Sequence, residues 1–184
     1  MRPLHLLVVL GLALAAACGD PFGLPRATFA NVVDSLVSLY ALSGTPVATP
    51  SGYYLQFRER VRIDQGGTFD FAIDLDTAGR PVLLPTGALK LGRSSGVQGT
   101  ALPFDSIRLA PDRGFQLDSA VTVDVGQRAI VHSRAATCSF GIAAVYYAKL
   151  QILAVDTTAR RIDFRILVDT NCGYRGLEPG LPSR

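Results

Sequence analysis

Residues 53–76 read YYLQFRERVRIDQGGTFDFAIDLD, and their pattern decides the fold class. In the first half Leu55, Phe57, Val61 and Ile63 share a face with Tyr53 and Glu59, while Gln56, Arg58, Arg60 and Arg62 share the other. In the second half Phe69, Phe71, Ile73 and Leu75 alternate with Asp70, Ala72, Asp74 and Asp76. Neighbouring side chains of an extended strand point to opposite sides, so this period of two predicts half-buried strands. Between them, Asp64-Gln65-Gly66-Gly67-Thr68 offers glycines for the positive φ angles of a hairpin loop. A register that closes a Gln65–Gly67 loop pairs Val61 with Phe71 and Phe57 with Leu75. On the outer face it sets Arg62 opposite Asp70 and Arg58 opposite Asp74, cross-strand charge pairs of roughly 0.2–1 kcal/mol each.

Outward from this stretch the same period recurs. Strands are expected at 81–85, 88–91, 106–110, 121–125 and 128–134, with a loop over residues 92–100. The longest two are expected near 142–155 and 161–168, with Ala148, Leu150, Ile152, Ala154, Ile162, Phe164, Ile166 and Val168 on one face. One segment departs from it: Phe29, Val32, Val33, Leu36, Leu39 and Tyr40 fall at spacings of three and four, which predicts a helix capped by Thr28 and ended by Gly44. The expected fold is therefore mainly β: an antiparallel β-sandwich or small β-barrel of about seven to ten strands, with one short N-terminal amphipathic helix.

Composition narrows the function classes. The 184 residues are 48% hydrophobic and 18% charged, which excludes a disordered polyelectrolyte. A net charge of +3 is too small and too evenly spread to predict a nucleic-acid partner. Three cysteines are too few for a disulfide scaffold and lack zinc-finger spacing, so no metal and no cofactor is expected.

The first residues read as an address. Arg2 precedes an apolar run from Leu6 to Ala17, about 12 residues long and short of the roughly 20 that span a bilayer. The run ends in Ala15-Ala16-Ala17-Cys18, which resembles the lipobox of bacterial lipoproteins, with Ala15 standing where Leu is commonest. Ala15-x-Ala17 also fits an ordinary secretory cleavage site. The resemblance covers residues 1–18 only. It implies lipid on Cys18, a membrane reached through that anchor, and a domain facing periplasm or cell exterior from the inner or outer membrane. With Cys18 acylated, Cys138 and Cys172 remain as a disulfide candidate in an oxidising compartment, closing a loop worth roughly 4 kcal/mol. The expected organisation is a signal peptide at 1–17, a lipidated tether at 18–26, one β-rich domain at 27–176 and a loose tail at 177–184.

Catalytic constellations are weak. Gly92-Arg93-Ser94-Ser95-Gly96 matches the G-x-S-x-G pattern of serine hydrolases, which needs a strand before the serine and a helix after it; Val97-Gln98-Gly99-Thr100 is a poor helix start. His132 is the one histidine after the leader and has no second imidazole to share a metal with. Asp74, Asp76 and Gly79 resemble the opening of a calcium loop, but Ala78 and Pro85 occupy ligand positions. Turn chemistry explains these aspartates better.

Two surface features remain. Arg58, Arg60 and Arg62 line one strand face and suit an anionic head group, or a charge-paired solvated face. In Tyr53-Tyr54 and Tyr146-Tyr147 one ring of each pair points out, so Tyr146 and Tyr147 join the arginines as a candidate binding surface. The sequence favours a non-catalytic binding or assembly module with an envelope protein as partner. The alternatives are a small barrel carrying an apolar small molecule, and a hydrolase using His132.

Overall fold

The computed structural model describes residues 24, 26–138, 141 and 143–183. The leader and Cys18 lie outside the described residues. Twelve strands occur among those residues: β1 (Val33–Tyr40), β2 (Gly52–Tyr54), β3 (Glu59–Val61), β4 (Phe71–Leu75), β5 (Pro81–Pro85), β6 (Gly96–Thr100), β7 (Val121–Thr122), β8 (Arg128–His132), β9 (Ala136–Thr137), β10 (Ala143–Ala144), β11 (Tyr147–Asp156) and β12 (Arg161–Asp169). They form two five-stranded antiparallel sheets, in the orders β1-β12-β11-β8-β6 and β3-β2-β4-β5-β7, and a small β9–β10 hairpin. Neither large sheet closes into a barrel: β1 and β6 end one, β3 and β7 the other.

The β11–β12 hairpin is the backbone of the fold. The Asp156 carboxylate accepts the N–H groups of Thr158 and Ala159 at 3.0 and 2.9 Å, which shapes the tip. Ala148, Leu150, Ile152, Ile162, Phe164, Ile166 and Val168 all face the shared core, as the alternation predicts. Ala154 does not. A bulge between Ile152 and Ala154 adds a residue, exposes Ala154 and turns Val155 inward. Side chains of the second sheet fill the space over this face. Tyr53, Phe71 and Phe164 form an aromatic cluster with ring centroids 5.7 to 6.3 Å apart, so the face of β11 and β12 lines a packed interior rather than a carrier's cavity.

The predicted helix is a strand. Residues 33–40 pair with β12 from Val33↔Leu167 to Tyr40↔Arg161. A bulge between Asp34 and Val37 explains the misleading spacing: it sends Val33 to one side of the sheet and Val37 and Leu39 to the other. Valines at 32, 33 and 37 suit the strand, and the open edge of β12 supplies the pairing.

The predicted hairpin of residues 53–76 is also replaced. The first strand breaks at Leu55–Arg58, where Arg58 takes φ 56° and its N–H meets the Leu55 carbonyl at 3.1 Å. β2 therefore pairs with β3 on one side, placing Tyr53 opposite Arg60, and with β4 on the other, placing Tyr53 opposite Phe71. Gly66 closes a short 3-10 turn, Ile63–Gln65, instead of a hairpin loop. The inner positions Phe71, Ile73 and Leu75 face the core as expected, and β4 turns into β5 around Asp76, whose Oδ1 accepts the Ala78 and Arg80 N–H groups at 2.9 Å each.

Three smaller expectations change. Residues 96–100, expected as loop, are β6; Thr86–Leu89 and Phe104–Ser106 are 3-10 turns where strands were expected nearby. The residues after 176, expected to be loose, are held: Leu177 is fully buried and Gly180 exchanges backbone hydrogen bonds with Asn31.

That C-terminal segment and residues 104–110 cover the outer face of the first sheet. A second apolar cluster of Phe104, Ile107, Ala110, Ile130, Leu167 and Leu177 forms beneath them. Lys149 is buried there, its Nζ donating to the carbonyls of Phe104 (2.8 Å) and Ile107 (3.0 Å) and lying 4.5 Å from the Phe104 ring centre. The site satisfies the ammonium with backbone acceptors and a ring face, while burial holds its pKa below the ordinary lysine value.

Candidate functional site

β1 and β3 are the free edges of their sheets, and they lie on the same side of the molecule. Between them runs an open cleft of about 550 Å³, lined by Asp34, Leu36, Val37 and Ser38 of β1, Tyr53 of β2, Phe57 and Arg58 of the turn, and Arg60 of β3.

The three predicted arginines part company here. Arg58, redirected by its left-handed backbone, reaches across to β1: Nε donates to Asp34 Oδ2 at 3.0 Å and Nη2 to Oδ1. The pair ties the two sheet edges, and the hydrogen bond to Asp34 raises the Arg58 pKa above its ordinary value. Arg60 is exposed in the cleft wall and has no carboxylate within 4 Å among the described residues. Arg62 leaves the cleft and forks onto Asp64 at 3.1 and 2.7 Å. The expected partners are occupied elsewhere. Asp74 binds Ser43 and Arg160, and buried Asp70 accepts the N–H groups of Leu55 (2.8 Å) and Arg134 (2.9 Å). Burial pushes the Asp70 carboxyl up, against those hydrogen bonds and the nearby Arg134 charge.

The floor of the cleft is unusual. Tyr53 is buried, yet its hydroxyl has no hydrogen-bond partner among the described residues. Burial, followed by the Asp34 charge, pushes its pKa up, so it stays a neutral donor. The rim is apolar: Leu36 is 65% and Phe57 60% exposed. An exposed guanidinium, an unengaged hydroxyl and two exposed apolar side chains thus share one concave surface.

Past Phe57 the surface continues. Gln56 borders two further depressions of about 350 and 340 Å³, the first lined with Tyr54, Asp70, Arg134 and Tyr146, the second with Arg26, Phe29, Cys138, Cys172 and Tyr174. Tyr146 is largely buried at their border. Tyr147 points to the other face, near Phe115 and His132, and does not join them. The Cys138–Cys172 disulfide is formed. Beside it, Asn171 grips the N-terminal arm: its Oδ1 accepts the N–H groups of Thr28 and Phe29, and its Nδ2 donates to the Phe29 carbonyl.

No protein-family model and no curated protein matches the chain. Its chemistry therefore rests on the residues themselves.

The hydrolase candidates lack the required arrangement. His132 Nδ1 donates to the Ser133 carbonyl at 2.8 Å, and its Nε2 packs against Gly96, where a Cβ would lie only 2.4 Å away. Burial lowers its pKa, keeping the ring neutral. Ser94 precedes a strand, not a helix, and its hydroxyl lies 3.2 Å from that of Thr86. No group of three or more His, Cys, Asp or Glu placed to hold a metal occurs among the described residues.

Of the residues that the sequence singles out, Arg58 and Arg60 line the cleft and Tyr146 borders the neighbouring depressions; Asp34, Leu36, Phe57 and the Tyr53 hydroxyl are not singled out. Phe57 carried a readable signal: an aromatic between Gln56 and Arg58, in a stretch with too many charges for a continuous inner strand.

Proposed function

We propose that this chain is an exported, lipid-anchored cell-envelope protein. Cys18 is the attachment point on the inner or outer membrane, and the domain faces periplasm or cell exterior as a non-catalytic binding or assembly module. The disulfide supports the export reading, because such bonds persist in oxidising compartments. The observation that carries the binding reading is the edge cleft, where exposed Leu36 and Phe57 flank Arg60 and the unengaged Tyr53 hydroxyl.

Site-specific crosslinking in intact cells tests it. A photoreactive aromatic at position 57 is expected to give a discrete adduct, and the same group at exposed Val125 is not. Val125 follows β7, at the opposite edge of the second sheet. Equal labelling from both positions would remove the cleft as the working surface.

A further inference from the structure

We infer that the pole of the domain carrying Phe29, Leu36 and Phe57 rests on an anionic phospholipid bilayer surface; this depends on the lipid-anchor reading above. Three observations lead there.

The first is the leash. From Cys18 to Arg26 is eight residues, which span at most about 28 Å even when fully extended. The arm beyond is not free to lengthen this reach, because Asn171 binds Thr28 and Phe29 and Asn31 pairs with Gly180. An acyl chain on Cys18 therefore keeps the Arg26 and Phe29 end of this pole within about 28 Å of the head groups.

The second is what the pole displays. Leu36 and Phe57 line one cleft, and Phe29 shares the neighbouring depression with Gln56, the residue before Phe57. All three are about two-thirds exposed. Other exposed apolar side chains, such as Val47, Leu91 and Val125, sit apart on separate loops. Aromatic and aliphatic groups at a membrane-facing pole can enter the boundary between head groups and acyl chains.

The third is charge. Arg26 and Arg60 flank these residues with no carboxylate within 4 Å among the described residues, whereas Arg58 is neutralised by Asp34. Glu59 is the exposed acid nearby and offsets part of this. The two open guanidiniums suit lipid phosphates.

The chain contains no tryptophan, so one introduced indole reports alone. Mature acylated protein, beginning at Cys18 and carrying Phe57→Trp or Val125→Trp, is reconstituted into vesicles of brominated phosphatidylcholine, with or without phosphatidylglycerol. The Phe57→Trp emission is expected to shift to the blue and to be quenched about twofold more than that of Val125→Trp, as for an indole at the interface. Phosphatidylglycerol should deepen the quenching, and adding Arg26→Gln and Arg60→Gln should remove that gain. Flotation separates the two layers of the inference. Protein that floats with the vesicles but quenches equally at both positions overturns the docking face and leaves the anchor standing. Protein that does not float, and carries no acyl mass, overturns both. A Phe57→Trp indole shielded without lipid, with dimers in sedimentation, assigns the pole to a second copy and also overturns the proposal.

Discussion

Arg58 and Asp34, 24 residues apart, form a forked ion pair that joins the free edges of two different sheets. Each side chain is about one-third exposed, so solvent screens the pair and its contribution to stability is at most about 1 kcal/mol. Both residues also line the cleft beside Tyr53. Arg58 also holds a left-handed φ of 56°, a conformation that glycine adopts without cost. Urea unfolding should therefore rank Arg58→Gly above Arg58→Gln by about 1 kcal/mol, since both lose the pair and only glycine relieves the backbone. The reverse order would mean that the turn is not strained.

Lys149 is expected to be intolerant of an apolar replacement despite its apolar surroundings. Lys149→Met keeps the length of the side chain but strips the Ile107 carbonyl of its donor and leaves the Phe104 carbonyl only the Ile107 N–H, at 3.3 Å. Leaving buried acceptors unpaired costs about 1–3 kcal/mol, and the loss should appear in denaturant unfolding. A variant as stable as the parent would show that those carbonyls find water instead.

Asp169 is fully buried; its Oδ1 accepts two hydrogen bonds from Asn171, and the Asn31 amide lies beside the same carboxylate. Burial raises its pKa, against those hydrogen bonds. The folded state then holds the proton more tightly than the unfolded chain, whose aspartates ionise near pH 4. Stability contributed by this group is thus lost as pH rises from about 4 to the raised folded value, and is flat above it. Asp169→Asn keeps an acceptor for Asn171 and removes the titration. Its stability relative to the parent should increase across that window, because Asp70, raised in the same direction, is present in both proteins and cancels. Parallel stability–pH curves would contradict this.

These positions also show where the sequence was legible. The β11–β12 hairpin could be read because its alternation runs up to an Asp-led turn and on from it; what escaped were the bulge at Ile152–Ala154 and the start at Tyr147, since Ala143–Ala144 pair with β9 instead. Residues 53–76 misled for a physical reason. Gly66-Gly67 offered the obvious positive-φ turn, yet the chain reverses at Arg58, a residue type that seldom takes that conformation. The matching of Arg62 with Asp70 looked like a register mark, but Asp70 is buried to bind the backbone of Leu55 and Arg134. The cleft was legible only in part. Arg58 and Arg60 announce themselves by charge, whereas Leu36, Phe57 and the Tyr53 hydroxyl matter because the β1 and β3 edges stay open. Which edges stay open is a property of the assembled sheets and not of local pattern.

The most direct test of the account is the intact mass of the protein isolated from membranes of its native host. A polypeptide beginning at Cys18 and carrying a diacylglyceryl adduct is the expected result. A chain that retains Met1, or one cleaved near Ala17 with an unmodified Cys18 thiol, would contradict a lipid-anchored envelope module.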